Sequence, residues 1–166
     1  HGSRIAITVA LVAGTLTCIV GATLGLMAGF YRGWADLIIS RLVDIWMAFP
    51  PVLFAILLIA VLETGLFSII IAIIVIDWTR FARVIRAEAM TQGAMDYVAS
   101  AQVAGRTKFG ILHAEILPNV LPTIIALLTL EMGIAVIVET ILSFVNLSIS
   151  TDSPTWGGMI AEGRTS

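Results

Sequence analysis

Apolar residues fill almost every position from Ile5 to Phe30, and no charge interrupts the chain between Arg4 and Arg32. At 1.5 Å per residue, about 20 apolar residues cross the hydrocarbon of a bilayer, so this run predicts a first membrane span over 5–30. It exceeds the roughly 7 to 15 apolar residues of a signal-peptide core. Within it Gly21, Gly25 and Gly29 recur every fourth residue, with Gly14 further back on nearly the same face, a pattern that lets another helix approach closely. A second apolar stretch, 37–62, is interrupted by Pro50-Pro51, which removes two backbone donors and predicts a kink near mid-depth. Arg41 and Asp44 near its start are spaced for a local pair, and a wet helix end with no pair accounts for them equally well. After the turn Glu63-Thr64-Gly65, a third span over 66–86 runs through Asp77 and Trp78 into Arg80, Arg83 and Arg86, a stripe drifting around one side of the helix. A fourth span covers 119–147, with Pro118 and Pro122 placed where a first helical turn tolerates them. A polar tail, 148–166, follows.

Composition agrees with this pattern. The chain is 59% hydrophobic and 12% charged with a mean hydropathy of +1.05, against about 25% charged for a soluble domain. That excludes an ordinary water-soluble fold and makes the lipid bilayer the first partner. The expected fold class is an all-α membrane protein, a bundle of transmembrane helices. Net charge is −2, and no basic run interleaves with aromatics, so nothing points to nucleic acid. The lone Cys18 excludes an internal disulfide and reads as a small lipid-facing or packing residue. Four alternating spans place Arg32, Arg41, Arg80, Arg83, Arg86, Arg106 and Lys108 on one side, and Arg4 and Arg164 on the other. The positive-inside rule then puts the 87–117 loop in the cytoplasm and the 148–166 tail outside.

Within that loop Asp96 is placed to cap a short helix, Tyr97 to Ala104, and Gly105 to stop it. Tyr97, Ala101 and Ala104 share a face small enough for another protein to seat on. Thr107 is placed to cap a second helix leading to Ile111 and Ile116. The result is a helical elbow, which serves either to tie two spans together or to dock a partner.

The residues Tyr97-Val98-Ala99-Ser100-Ala101, then Gly105, then Glu115-Ile116-Leu117-Pro118-Asn119, resemble the EAA loop of ABC importer permeases. Ala99 stands where that motif usually has Glu, and Ser100 replaces an Ala. Gly29-Phe30-Tyr31-Arg32-Gly33-Trp34-Ala35-Asp36, Arg41-Leu42-Val43-Asp44-Ile45, Ala48-Phe49-Pro50, Glu139-Thr140-Ile141-Leu142-Ser143-Phe144 and Pro154-Thr155-Trp156-Gly157-Gly158-Met159 are similar to the dipeptide, oligopeptide and nickel branch, in its C-type subunit. The resemblance implies six spans in the full subunit, of which this chain carries part, and a multi-pass plasma-membrane location. It also implies a short cytoplasmic coupling helix with Tyr97, Ala99, Ser100, Ala101, Gly105, Leu117 and Pro118 as the ATPase-coupling residues. A second permease subunit, two ATP-binding subunits and an extracytoplasmic substrate-binding protein are the implied partners. No cofactor is expected in this chain. ATP and Mg are expected in the partner ATPase, because no G-x-x-x-x-G-K-[ST] pattern occurs here.

Glu131 and Glu139 fall inside the fourth span, where an ionisable group costs on the order of 3 kcal/mol unless it is paired or faces water or protein. Both are expected to point inward. A lining for the transport pathway and a structural hydrogen bond between helices are both open to them. Asp77 is placed to pair with Arg80 or a neighbouring helix. His113 and Glu115 read as a solvated helix face, since two ligand types without spaced partners do not define a metal site. Pro154, Trp156 and Gly157 form a rigid segment for the interface or a binding protein. Two other classes remain in view. An intramembrane enzyme needs its carboxylates to meet a nucleophile or each other, and a self-sufficient channel or secondary transporter needs no docking elbow.

Overall fold

The computed structural model describes residues 2–62 and 66–144, and its described elements are all helical. They are α1 (Gly2–Tyr31), α2 (Gly33–Met47), α3 (Pro51–Leu62), α4 (Leu66–Gln92), α5 (Asp96–Val103), α6 (Lys108–Ile111) and α7 (Leu117–Phe144), with a π-helical turn, Leu112–Ile116, joining α6 to α7. The turn Glu63-Thr64-Gly65 and the tail with Pro154, Trp156 and Gly157 lie outside the described residues. By length and apolarity, Ile7–Tyr31 and Lys108–Val138 are each sufficient to cross a membrane.

Helix α1 sorts its side chains by size. Val9, Ala10, Ala13, Thr17, Cys18, Ala22 and Ala28 are buried, with Leu26 the one large residue among them, whereas Ile7, Leu11, Leu16, Ile19 and Met27 are exposed. Lipid tails are as apolar as Leu, so nothing drives the large residues inward. Small residues gain by letting backbones approach. A sharp reversal at Arg32 (φ 55°) and Gly33 (φ 59°) leads into α2.

The predicted 37–62 span is two helices, not one kinked helix. Pro50 and Pro51 have no N–H, so the carbonyls of Trp46 and Met47 have no donor four residues on. α2 therefore ends at Met47, where Ala48 N–H closes back onto Asp44 O at 3.2 Å. α3 restarts with Pro51 as its first residue, and Phe54 N–H donates to Pro50 O at 3.1 Å. The helix of the fourth span also starts earlier than expected, at Lys108. Pro118 and Pro122 thus lie within a continuous run. The π turn lies immediately before Pro118, and Leu117 N–H donates five residues back to Leu112 O. Pro118 cannot donate to Ala114 O, and the wider turn accommodates that missing bond.

The chain divides into two compact units. One comprises residues 1–17, 49–77 and 128–166, with a core of Val9, Ala13, Ile69, Ile73 and Ala135. The other comprises 18–48 and 78–127. Its larger core gathers Ala22, Leu26, Ile85, Ala89, Val98, Ile111, Ile116 and Val120, and a smaller one gathers Val43, Trp78 and Ala82. In this second unit the glycine stripe sits on α4. A Cβ at Gly21 would lie 2.5 Å from Trp78 O, one at Gly25 2.7 Å from Ala82 O, and one at Gly29 2.5 Å from Arg86 O. Gly14 departs from the stripe: it belongs to the first unit and faces Leu128, Glu131 and Met132 of α7 with ordinary clearance.

Candidate functional site

Helix α5 begins one residue earlier than expected. Met95 occupies the N-cap without a side-chain bond, and Asp96 lies in the first turn, where its charge favours the helix N-terminus. The C-terminal stop is as the sequence indicates. Gly105 has φ 79°, its N–H donates to Gln102 O at 3.0 Å, and Arg106 N–H reaches Ala101 O at 3.1 Å. Those two bonds form a Schellman motif, which a left-handed glycine permits. Thr107 then caps α6, its Oγ1 accepting from Gly110 N–H at 3.2 Å. Thr107→Ala is expected to lower stability by about 1 kcal/mol and to speed amide exchange at Gly110 in the elbow, measured by hydrogen exchange.

The residues expected to couple to an ATPase separate into two faces. Tyr97, Ala101 and Leu117 pack against the unit's core beside the fully buried Val98, Ile111 and Ile116. Ala99, Ser100, Gly105 and Pro118 are exposed. Of the expected shared face, Tyr97 and Ala101 are half-buried toward that core and Ala104 is exposed. Val103, 91% exposed, and Phe109, 70% exposed, were not singled out from the sequence. The signal was present, since an inward Val98 and Ala101 place 99, 100 and 103 on the opposite side of a helix. Phe109 stacks parallel on His113, with ring centroids 6.2 Å apart.

Arg106 and Glu115 join the two arms of the elbow through an ion pair at 2.6 Å. Asn119 Nδ2 donates to Glu115 O at 2.7 Å, so Glu115 is held at both ends of the residue. Among the described residues, no three His, Cys, Asp or Glu side chains converge as a metal site. Tyr97 donates to Gln92 Oε1 at 2.7 Å, and burial pushes its phenol above the usual tyrosine range.

Beside the elbow, α2 and α4 share a charged cluster. Asp44 is bound by Arg83 at 3.1 Å and not by Arg41, as its spacing had suggested. Arg86 binds Asp36 through both Nε and Nη2, the latter at 2.8 Å. Ser40 Oγ donates to the same carboxylate at 3.0 Å. The Arg86 hydrogen bonds hold the Asp36 carboxyl below the usual aspartate range. Ile39, Ser40, Val43, Asp44, Ala82, Arg83 and Arg86 line a cleft of about 270 Å³ here.

Of the membrane carboxylates, Glu131 is 1% exposed and lies against α1 at Gly14. It points inward, the direction expected of an ionisable side chain within a membrane-spanning helix. The side chain of Glu139 lies outside the described residues. Asp77 is buried as well.

These features define an all-helical membrane protein with a polar elbow between two long helices. The family described as binding-protein-dependent transport system inner membrane component matches residues 21–165. The chain belongs to that family. It is 33% identical over 164 residues to the glutathione transport system permease protein GsiD of Pectobacterium atrosepticum, covering 99% of this chain and 54% of that one. It is 35% identical over 164 residues to the dipeptide transport system permease protein DppC of Alkalihalophilus pseudofirmus, with the same coverage. It is 34% identical over 162 residues to the oligopeptide transport system permease protein OppC of Bacillus subtilis, covering 98% and 53%. The chain thus spans about half the length of the curated relatives it matches. Its fold is similar to a chain from a structure of inward-facing conformations of the MetNI methionine ABC transporter. The TM-score is 0.79 at 16% identity, covering 99% of this chain and 86% of that one.

Proposed function

We propose that this chain is the membrane-spanning part of a permease subunit in an ATP-driven importer of peptides, working in a multi-pass subunit of the plasma membrane. The observation that carries this reading is the elbow. An eight-residue helix is fixed by the buried Val98 on one side and stopped by Gly105, and it presents Ala99, Ser100 and the 91% exposed Val103 outward. That face is built of small side chains, which suit close seating of a partner. A separate ATPase, binding ATP and Mg, would seat on that face and move it. A second permease subunit would complete the pathway, and an extracytoplasmic binding protein would deliver substrate. The named relatives handle glutathione, dipeptides or oligopeptides, which favours a peptide over nickel.

The test is uptake by the full-length permease, reconstituted in proteoliposomes with its ATP-binding subunits and binding protein. Radiolabelled trialanine should accumulate only with ATP, and vanadate should reduce accumulation on the order of tenfold or more. Equal uptake without ATP would refute the importer reading in favour of a channel or secondary transporter.

A further inference from the structure

Helix α2 packs on α4 through one narrow apolar strip. Val43 is its buried residue among those described, while Leu37, Ile38, Leu42 and Ile45 are exposed. Its attachment to α4 rests on a small apolar contact, in which Val43, Ile39 and Trp46 meet Trp78 and Ala82 with the Trp46 and Trp78 rings edge to face, and on the two Arg–Asp pairs, which fix its polar side.

The two pairs are unequal. Arg83 and Asp44 meet through one contact with both side chains 55% exposed, a setting in which ion pairs contribute little. Arg86 and Asp36 meet through two nitrogens and two oxygens with side chains 32% and 21% exposed. Forked, partly desolvated pairs of this kind are stronger and fix orientation. Ser40 holds the carboxylate from the α2 side.

Arg86 also stands on the helix that leads to the elbow. Between α4 and α5, Gly93 N–H donates to Ala89 O at 2.9 Å and Met95 N–H to Gln92 O at 3.1 Å. Tyr97 returns a side-chain bond to Gln92, and Val98 shares a core with Ile85 and Ala89. The end of α4 and the elbow are thus one hydrogen-bonded, packed piece.

We propose that Arg86 and Asp36 are positioning residues of the transport cycle, whose forked ion pair makes α2 follow α4 when the elbow is moved. The inference rests on the importer reading above. Loss of the pair leaves the elbow intact and its motor engaged, but α2 no longer moves with it, so ATP is hydrolysed without transport.

The experiment uses the full-length permease with its ATP-binding subunits and binding protein in proteoliposomes, reading trialanine uptake and ATP hydrolysis together. Asp36→Asn and Arg86→Gln should each retain ATP hydrolysis while uptake per ATP falls on the order of tenfold. The exchanged pair, Asp36→Arg with Arg86→Asp, should recover most of that loss. Asp44→Asn should change the ratio by at most about twofold. Hydrolysis and uptake falling together, an unchanged ratio in the single variants, or no recovery in the exchanged pair would overturn the inference alone. Wild-type uptake that is absent or independent of ATP would overturn the importer reading and this inference with it.

Discussion

Gly25→Leu should abolish the folded permease. A Cβ at position 25 would lie 2.7 Å from Ala82 O and 3.0 Å from Ile85 Cβ, and Leu adds three further carbons behind it. The obstructing atom is a backbone carbonyl of α4, which no change of rotamer can move. Ordinary overpacking costs about 1 to 3 kcal/mol, and separating two helices whose contact is the source of their association costs more. Even Gly25→Ala is expected to destabilise, because helix propensity returns only about 1 kcal/mol. The measurement is SDS-induced unfolding of the purified full-length protein, followed by loss of helicity. Two other glycines serve as internal controls. Gly14→Ala meets Met132 Cγ at 3.6 Å, an ordinary contact, and a Cβ at Gly133 has no neighbour within 4 Å. Both should be neutral or stabilising. If Gly25→Leu unfolded at the same SDS concentration as Gly14→Ala, the close approach of α1 and α4 would be wrong.

The sequence carried this contact because spacing alone places Gly21, Gly25 and Gly29 on one helix face. Gly14 shows the limit of that argument. Helical phase says which side a residue faces, but not which helix is waiting there, and Gly14 meets α7 instead. The same limit explains the charges. Asp44 is three residues from Arg41 in sequence, yet Arg83 takes it, since tertiary packing brings a second arginine within reach. Pro50-Pro51 marked a disturbance, but a complete break stands where a kink was expected, because two successive carbonyls lose their donors. Pro118 misled in another way. Proline suits a first helical turn, so it looked like a start, whereas the π turn at Leu112–Ile116 lets the helix run through it. In the elbow, Gly105 and Thr107 were legible because each has a strong local rule, a left-handed stop and a hydroxyl cap. Which side of α5 faces outward was not, because eight residues give barely two turns and the inward side is decided by the core it meets.

The largest effect on function should come from Val103. Its side chain is 91% exposed, so Val103→Asp removes almost no contact within this chain and should leave thermal unfolding unchanged. A partner that seats an ATPase groove on α5 would bury it, and a carboxylate buried without a partner is strongly unfavourable. Burying that carboxylate unpaired should cost on the order of 2 kcal/mol or more, so association should weaken by roughly thirtyfold. Copurification of the ATP-binding subunits with the full-length permease measures this directly. Val98→Asp supplies the contrast. Val98 is 1% exposed within the core that anchors the elbow, and a charge there should cost about 3 kcal/mol or more in stability and lose the ATPase by unfolding its seat. The two variants thus lose the same partner for different reasons, separable by the unfolding midpoint. An elbow that only joined two spans would respond to Val98→Asp and ignore Val103→Asp, so full copurification with the latter would remove the docking surface from the mechanism.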